Sequence, residues 1–311
     1  MIANIMASKI YGVKIKYLIL SLLAVIIISV FALSIDLSNA KTKISKASIP
    51  QKAIAAASVK VQASLPALAS TIVPHALPVT SKAVAAITPI PKVFVPIIMY
   101  HYIRDYTDSN DSIGVGLSVA PTTFQTQLDS LKAAGYHTIS LEDYINKNYS
   151  SKPIILTFDD GYADAYTTAL PILQQEGDTA TFFIISSFVG QPNYMTAEQI
   201  AQLKADGMEV GSHTVDHKDL ATMSYSQAYY EINTAAQGWD KVFAYPSGDY
   251  NSSTLQIVRS LGIVASVTTH FGVATELSDP EQLPRIRAKE GTNLISLING
   301  EIYALKHPKI Q

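Results

Sequence analysis

Two carboxylates stand side by side at Asp159 and Asp160, inside KPIILTFDDGY. Adjacent residues of a regular strand point to opposite faces, so only one of the pair should face any single site. Like charges this close also resist ionising together. The pair marks either a solvated turn or a place where a cation sits nearby. Farther on, GSHTVDH carries His213 and His217 four residues apart. On a helix that spacing puts both imidazoles on one face, and a tight loop also brings them together. Two imidazoles and one carboxylate make a three-ligand set that leaves positions open for water or substrate. Such sets occur in catalytic zinc sites and in the facial triad of non-haem Fe(II) oxygenases. The second carboxylate separates these chemistries. A triad uses one carboxylate and leaves the other free as a base, and hydrolysis needs a base beside a metal-activated water. An oxygenase has no comparable need.

The elements that must position these groups follow a repeating cadence. FQTQLDSLKAAGYHTIS places Phe124, Leu128 and Leu131 at helical spacing, then Gly135, then a strand-like run. The same order recurs around Gly177, Gly207 and Gly262, and glycine suits the left-handed position that ends a helix. Thr196 and Gln199 fit a capping box ahead of the third such helix. Alternating helices and short apolar strands predict parallel βα units. About 220 residues suit one (β/α) barrel, with a doubly wound open sheet as the alternative.

In such folds chemistry sits at the carboxyl ends of the strands. VFVPIIMYH ends in His101, PIILTFDD in the acid pair, and MEVGSH in His213. KVFAYPSG ends in Pro246-Ser247-Gly248, and ASVTTH in His270. Several strands thus deliver polar groups to one rim. His137 begins a strand, at the opposite end. His75 and His307 read as surface residues. Tyr100, Tyr102 and Tyr245 adjoin strand ends, where core packing is expected ahead of sugar stacking. For Trp239, in the loop-like QGWDK, packing and sugar stacking are both open. Asp216 and Asp219 read as solvated or capping.

TFDDG, SHTVDH and AYPSG resemble the first three motifs of the polysaccharide deacetylases, carbohydrate esterase family 4. The resemblance runs from about Val93 to Gly300. It implies a distorted (β/α)7 barrel and metal-dependent removal of N- or O-acetyl groups from glycans. It also implies that Asp159 is the general base and that Asp160, His213 and His217 hold a divalent metal, zinc first, with cobalt or nickel using the same ligands. The backbone N–H of Ser247 would take the oxyanion position. The family's third motif carries an arginine that holds the catalytic aspartate, and FAYPSG has none. Arg285 and Arg287, in LPRIRA, are the replacements, and Arg285 is favoured on the direction in which the strand faces each. The family's usual late histidine is also absent from LISLINGEIYAL. The early His101 resembles the general acid of the circularly permuted branch that includes poly-N-acetylglucosamine deacetylases.

The rest of the chain bounds the setting. Residues 1–92 hold ten lysines against Asp36, so that segment carries +9 and the remaining chain −11 of the net −2. An acidic body argues against nucleic acid as a partner. The absence of cysteine excludes disulfides and thiolate sites. Lys9, Lys14 and Lys16 precede a run of roughly 19 residues, YLILSLLAVIIISVFALSI, close to the length that spans a bilayer. Ser38-Asn39-Ala40 resembles a cleavage site. Residues 1–40 therefore read as a signal peptide or, uncleaved, a transmembrane anchor, and either exports the rest. Residues 41–92, rich in Ala, Lys and Pro, read as a disordered linker, and 93–311 as the catalytic domain. The expected partner is an N-acetylated glycan such as poly-N-acetylglucosamine or peptidoglycan. A weakly active or inactive binding relative and a different metal-dependent hydrolase are the alternatives.

Overall fold

A computed structural model describes residues 90–308. The apolar run at 17–35 and the linker up to residue 89 lie outside them. Among the described residues no helix is long and apolar enough to cross a membrane.

Seven strands form a closed parallel ring. They are β2 (Ile97–Tyr100), β6 (Pro153–Phe158), β7 (Thr181–Ile184), β8 (Glu209–Ser212), β9 (Val242–Ala244), β10 (Ala265–Phe271) and β12 (Leu283–Arg287). Neighbours run β2–β12–β10–β9–β8–β7–β6, and pairing of Ile97–Tyr100 with Ile155–Phe158 closes β2 on β6. The short β5 (His137–Thr138) lies against the first residues of β6. Two small pairs sit outside the ring: antiparallel β1 (Phe94–Val95) with β11 (Ala274–Thr275), and parallel β3 (Tyr102–Ile103) with β4 (Ser118–Val119). The helices are α1 (Ser112–Leu117), α2 (Pro121–Ala133), α3 (Leu141–Asn146), α4 (Leu170–Glu176), α5 (Ala197–Ala205), α6 (Tyr225–Ala235), α7 (Ser252–Ser260) and α8 (Leu294–Lys306). The ring is the parallel barrel expected from the cadence, its seven strands are those the family resemblance implies, and it excludes the open sheet.

Strand alternation sorts the core into two layers. Ile97, Ile155, Phe183, Val242, Ala244, Val267 and Leu283 fill the barrel interior. Their neighbours Ile98, Leu156, Phe158, Phe182, Val210 and Ile286 pack outward beneath the helices with Phe124, Leu128 and Leu131 of α2. Leu141 and Tyr144 of α3 join the inner cluster at the amino end of the barrel. There the buried Glu209 accepts the Leu141 and Glu142 N–H groups and the Thr181 hydroxyl, at 3.0, 2.9 and 2.6 Å.

The expected helix ends are present. Thr196 and Gln199 exchange both bonds of the capping box. Gly135, Gly177, Gly207 and Gly262 all take positive φ at the ends of their helices. One boundary differs from the sequence expectation. β10 runs on to Phe271, so His270 lies within the strand and is exposed.

Candidate active site

The inward alternation of β6 runs Ile155, Thr157, Asp159, so Asp159 points into the mouth of the barrel. Asp160 would face outward in a regular strand. Instead Asp160 and Gly161 both have positive φ, 74° and 80°. That reversal breaks the alternation and puts both carboxylates at one rim.

Asp159 is 2 % exposed and meets Arg285, itself 1 % exposed. The pair is bidentate: Arg285 Nη1 donates to Oδ1 at 2.8 Å and Nη2 to Oδ2 at 2.7 Å. Arg285 also donates to the Thr157 hydroxyl at 3.0 Å and the Thr268 carbonyl at 2.8 Å. Burial alone would push the Asp159 carboxyl up. The charge and hydrogen bonds of Arg285 outweigh it, with smaller help from His213 and His101, and hold the group well below the usual carboxylate range. His101 follows β2 with Nε2 4.0 Å from Asp159 Oδ2, beyond hydrogen-bond distance. Burial lowers its pKa, against the pull of the two aspartates. Arg287 is two residues from Arg285 and therefore shares its face of β12. Facing does not separate the two arginines, as the sequence reading assumed. Depth does: Arg285 lies one layer inside the barrel, where Asp159 is.

Asp160 lies against both histidines. Its Oδ1 is 3.4 Å from His213 Nε2 and 3.5 Å from His217 Nε2, and it is buried without a hydrogen-bond partner. His213 is fixed through its other nitrogen, with Nδ1 2.7 Å from the Ala244 carbonyl. His217 lies on a loop, since Thr214 and His217 both have positive φ, 66° and 55°. The three ligand atoms lie within 4.8 Å of one another. Atoms each about 2.0–2.1 Å from a tetrahedral ion stand about 3.3–3.4 Å apart, close to the two distances found. An orphaned carboxylate oxygen facing two imidazole nitrogens fits a divalent cation. Burial would favour neutral His213, but Asp160 beside it and the charge of Asp159 raise its pKa. Burial, then His213, lowers that of His217.

Ser247 is the left-handed centre of the turn after β9, at φ 56°, and is exposed. Gly248 N–H donates to the Tyr245 carbonyl and Asp249 N–H to that of Pro246. The Ser247 N–H takes no part in those two bonds. The turn is tied down by the Thr269 hydroxyl, which donates to the Ser247 carbonyl at 2.8 Å.

Other residues fall outside the site. Tyr100 stacks on Phe158 and donates to Gln127, and Tyr245 donates to the Glu281 carbonyl; both are core. Tyr102 is half-buried beside Tyr162, with Arg104 over its ring. Trp239 packs against the outer core. Asp219 caps the turn at Leu220–Thr222, and Asp216 pairs with Lys218. His137 and His307 are exposed, and His75 lies outside the described residues. Sequence reading missed Thr157 and the Thr268 and Ala244 carbonyls. It also missed Glu231, whose signal was available: Ala228, Glu231, Ile232 and Ala235 are the buried positions of α6, so a carboxylate sits on an apolar stripe.

A parallel seven-strand barrel with a carboxylate–arginine pair and an aspartate–dihistidine cluster at its mouth defines a class of α/β barrel with a candidate metal site at its rim. Comparison with known proteins makes the class specific. Residues 146–266 match the polysaccharide deacetylase family model. The chain is 32 % identical over 208 residues to YxkH of Bacillus subtilis, a polysaccharide deacetylase candidate, covering 63 % of this chain and 72 % of that one. It is 23 % identical over 220 residues to the poly-beta-1,6-N-acetyl-D-glucosamine N-deacetylase of Staphylococcus epidermidis, covering 60 % and 76 %. Among solved structures it is similar to the deacetylase PplD of Streptococcus pyogenes, in complex with acetate. That match has 33 % identity and a TM-score of 0.62, over 67 % of this chain and 99 % of that chain. The chain belongs to the polysaccharide deacetylase family. The matched family segment includes both aspartates and both histidines but neither His101 nor Arg285. His101 follows β2, which pairs with β6 on one side and with β12, the strand of Arg285, on the other.

Proposed function

We propose that this deacetylase removes N-acetyl groups from an extracytoplasmic N-acetylglucosamine polymer, with a divalent metal held by Asp160, His213 and His217. Zinc is the first candidate, with cobalt or nickel using the same ligands. When bound, the ion would polarise the acetyl carbonyl and acidify water beside it. Asp159, kept ionised by Arg285, accepts the proton of the attacking water. The Ser247 N–H donates to the oxygen that gains charge as the water oxygen joins the acetyl carbon. His101, when protonated, gives its proton to the sugar nitrogen as the C–N bond breaks, leaving acetate and an amine.

The observation that carries this reading is the division of labour between adjacent aspartates. Asp159 is committed to an arginine, and Asp160 is left bare against two imidazoles. The lack of an arginine in FAYPSG favoured a relative without turnover, and the Arg285–Asp159 pair weighs against that reading. The similarity to a poly-beta-1,6-N-acetyl-D-glucosamine N-deacetylase supports the glycan class. Export rests on the apolar run at 17–35, as a cleaved signal or an anchor in the membrane. The test is acetate release from β-1,6 and chitin-like N-acetylglucosamine oligomers and from peptidoglycan, with and without a chelator. Chelator-sensitive release from at least one is expected; no release from any would contradict the proposal.

A further inference from the structure

Glu231 is 3 % exposed, and no part of the proposed reaction uses it. One of its oxygens, Oε2, accepts both the Val215 and the Asp216 N–H, each at 3.0 Å. These two amides lie in the segment between His213 and His217. The segment has an unusual backbone. Thr214 and His217 both take positive φ, which is uncommon for any non-glycine residue and an outlier for a β-branched one. Such conformations persist only where the surroundings over-determine them.

The other restraints are few. Thr214 Oγ1 accepts the His217 N–H at 3.0 Å, and the Ser186 and Ser187 N–H groups donate to the Thr214 and Val215 carbonyls, each at 3.1 Å. Lys218, the residue after His217, reaches Glu231 Oε1 at 3.4 Å. Glu231 thus grips the loop from both sides of its turn, and it does so from the buried stripe of α6. Hydrogen bonds to a charged acceptor are about twice as strong as neutral ones. His213 has its own anchor in the Ala244 carbonyl. His217 has no such bond to its ring among the described residues, so its place is set by its backbone.

The geometry points to Glu231 as the residue that positions His217 for its metal. This rests on the metal-site reading above. Partners of this kind outside the ligand set typically change metal affinity by about 10–100-fold. Glu209 supplies a matched control. It is also a buried carboxylate that accepts two backbone N–H groups, but it lies at the amino end of the barrel.

The experiment measures zinc affinity of the full chain by competition with a chromophoric chelator, together with thermal unfolding. Glu231→Ala should raise the zinc Kd about 10–100-fold. Glu231→Asp, whose shorter arm cannot hold both amides, should raise it by a smaller factor and remain folded if the alanine variant does not. Glu231→Gln, which keeps an acceptor oxygen but loses the charge, should raise it by less than the alanine variant does. Glu209→Gln should lower the melting temperature and leave the zinc Kd unchanged. Wild-type affinity in both the alanine and aspartate variants would overturn the inference, as would equal weakening by Glu209→Gln. A wild-type chain that binds no zinc would overturn the metal reading itself, and this inference with it.

Discussion

The two adjacent aspartates differ in what they are paired with, and that difference fixes their behaviour. Asp159 to Asn keeps the shape but removes the proton acceptor. It should retain the metal and lose about 10²–10⁴-fold in turnover; near-normal acetate release would remove Asp159 as base. Arg285 is what keeps Asp159 ionised against burial. Asp159 accepts a proton only when ionised, so activity that depends on it is lost as pH falls through its pKa. In the wild type that loss lies below the ordinary carboxylate range. Arg285→Lys, which loses the bidentate fork, should move the acid limb of kcat/KM upward, and an unmoved limb would contradict the pairing. Arg285→Met leaves a buried charge without a partner and should cost about 3–5 kcal/mol in urea unfolding. His101→Ala should slow amide cleavage more than cleavage of an activated acetyl ester, whose leaving group hardly needs a proton. Equal losses on both substrates would count against His101 as acid. The acids and histidines were legible from residue type and spacing. The choice between Arg285 and Arg287 was not, because residues two apart share a strand face and only depth in the barrel tells them apart.

At the scale of elements, the rim is built from interrupted strand ends. Four of the non-glycine residues with positive φ are Asp160, Thr214, His217 and Ser247, all in the turns that carry the site. A sequence shows strand ends as apolar runs that stop, and these were readable at His101, Asp159, His213 and Ser247. It does not show the sign of φ at an aspartate or a threonine, so the reversal at Asp160 became visible only in the fold. Glu231 escaped notice because a single charge on a helix reads as solvated unless the apolar stripe around it is traced. The turn after β9 offers a direct check on this scale. A Cβ on Gly248 would clash with the hydroxyl and the backbone nitrogen of Thr269, at a φ of 82° that side chains rarely adopt. Gly248→Ala should therefore lower stability by more than about 1 kcal/mol and disturb the Ser247 N–H. An unchanged melting temperature with unchanged kcat would show that the turn tolerates a side chain.

For the whole molecule, closure of the ring is what assembles the site. Asp159 follows β6, while His101 follows β2 and Arg285 lies on β12, at opposite ends of the domain sequence. Pairing of β2 with both β6 and β12 brings the three together. The alternation of helices and strands predicted a parallel barrel, but long-range neighbours such as β2 and β12 have no local signal, so their adjacency came from the fold. The proposed export belongs to this scale too. External protease should reach the catalytic domain in cells stripped of their wall, and full protection would contradict export. The central claim is that Asp160, His213 and His217 hold the ion on which deacetylation depends. The most direct measurement follows acetate release from an N-acetylglucosamine oligomer by chelator-stripped protein as zinc is added back, for the wild type and for Asp160→Ala. The account predicts that activity returns with about one zinc per wild-type chain and that Asp160→Ala neither binds the ion nor recovers. Full activity in the stripped protein, or full zinc occupancy in Asp160→Ala, would contradict it.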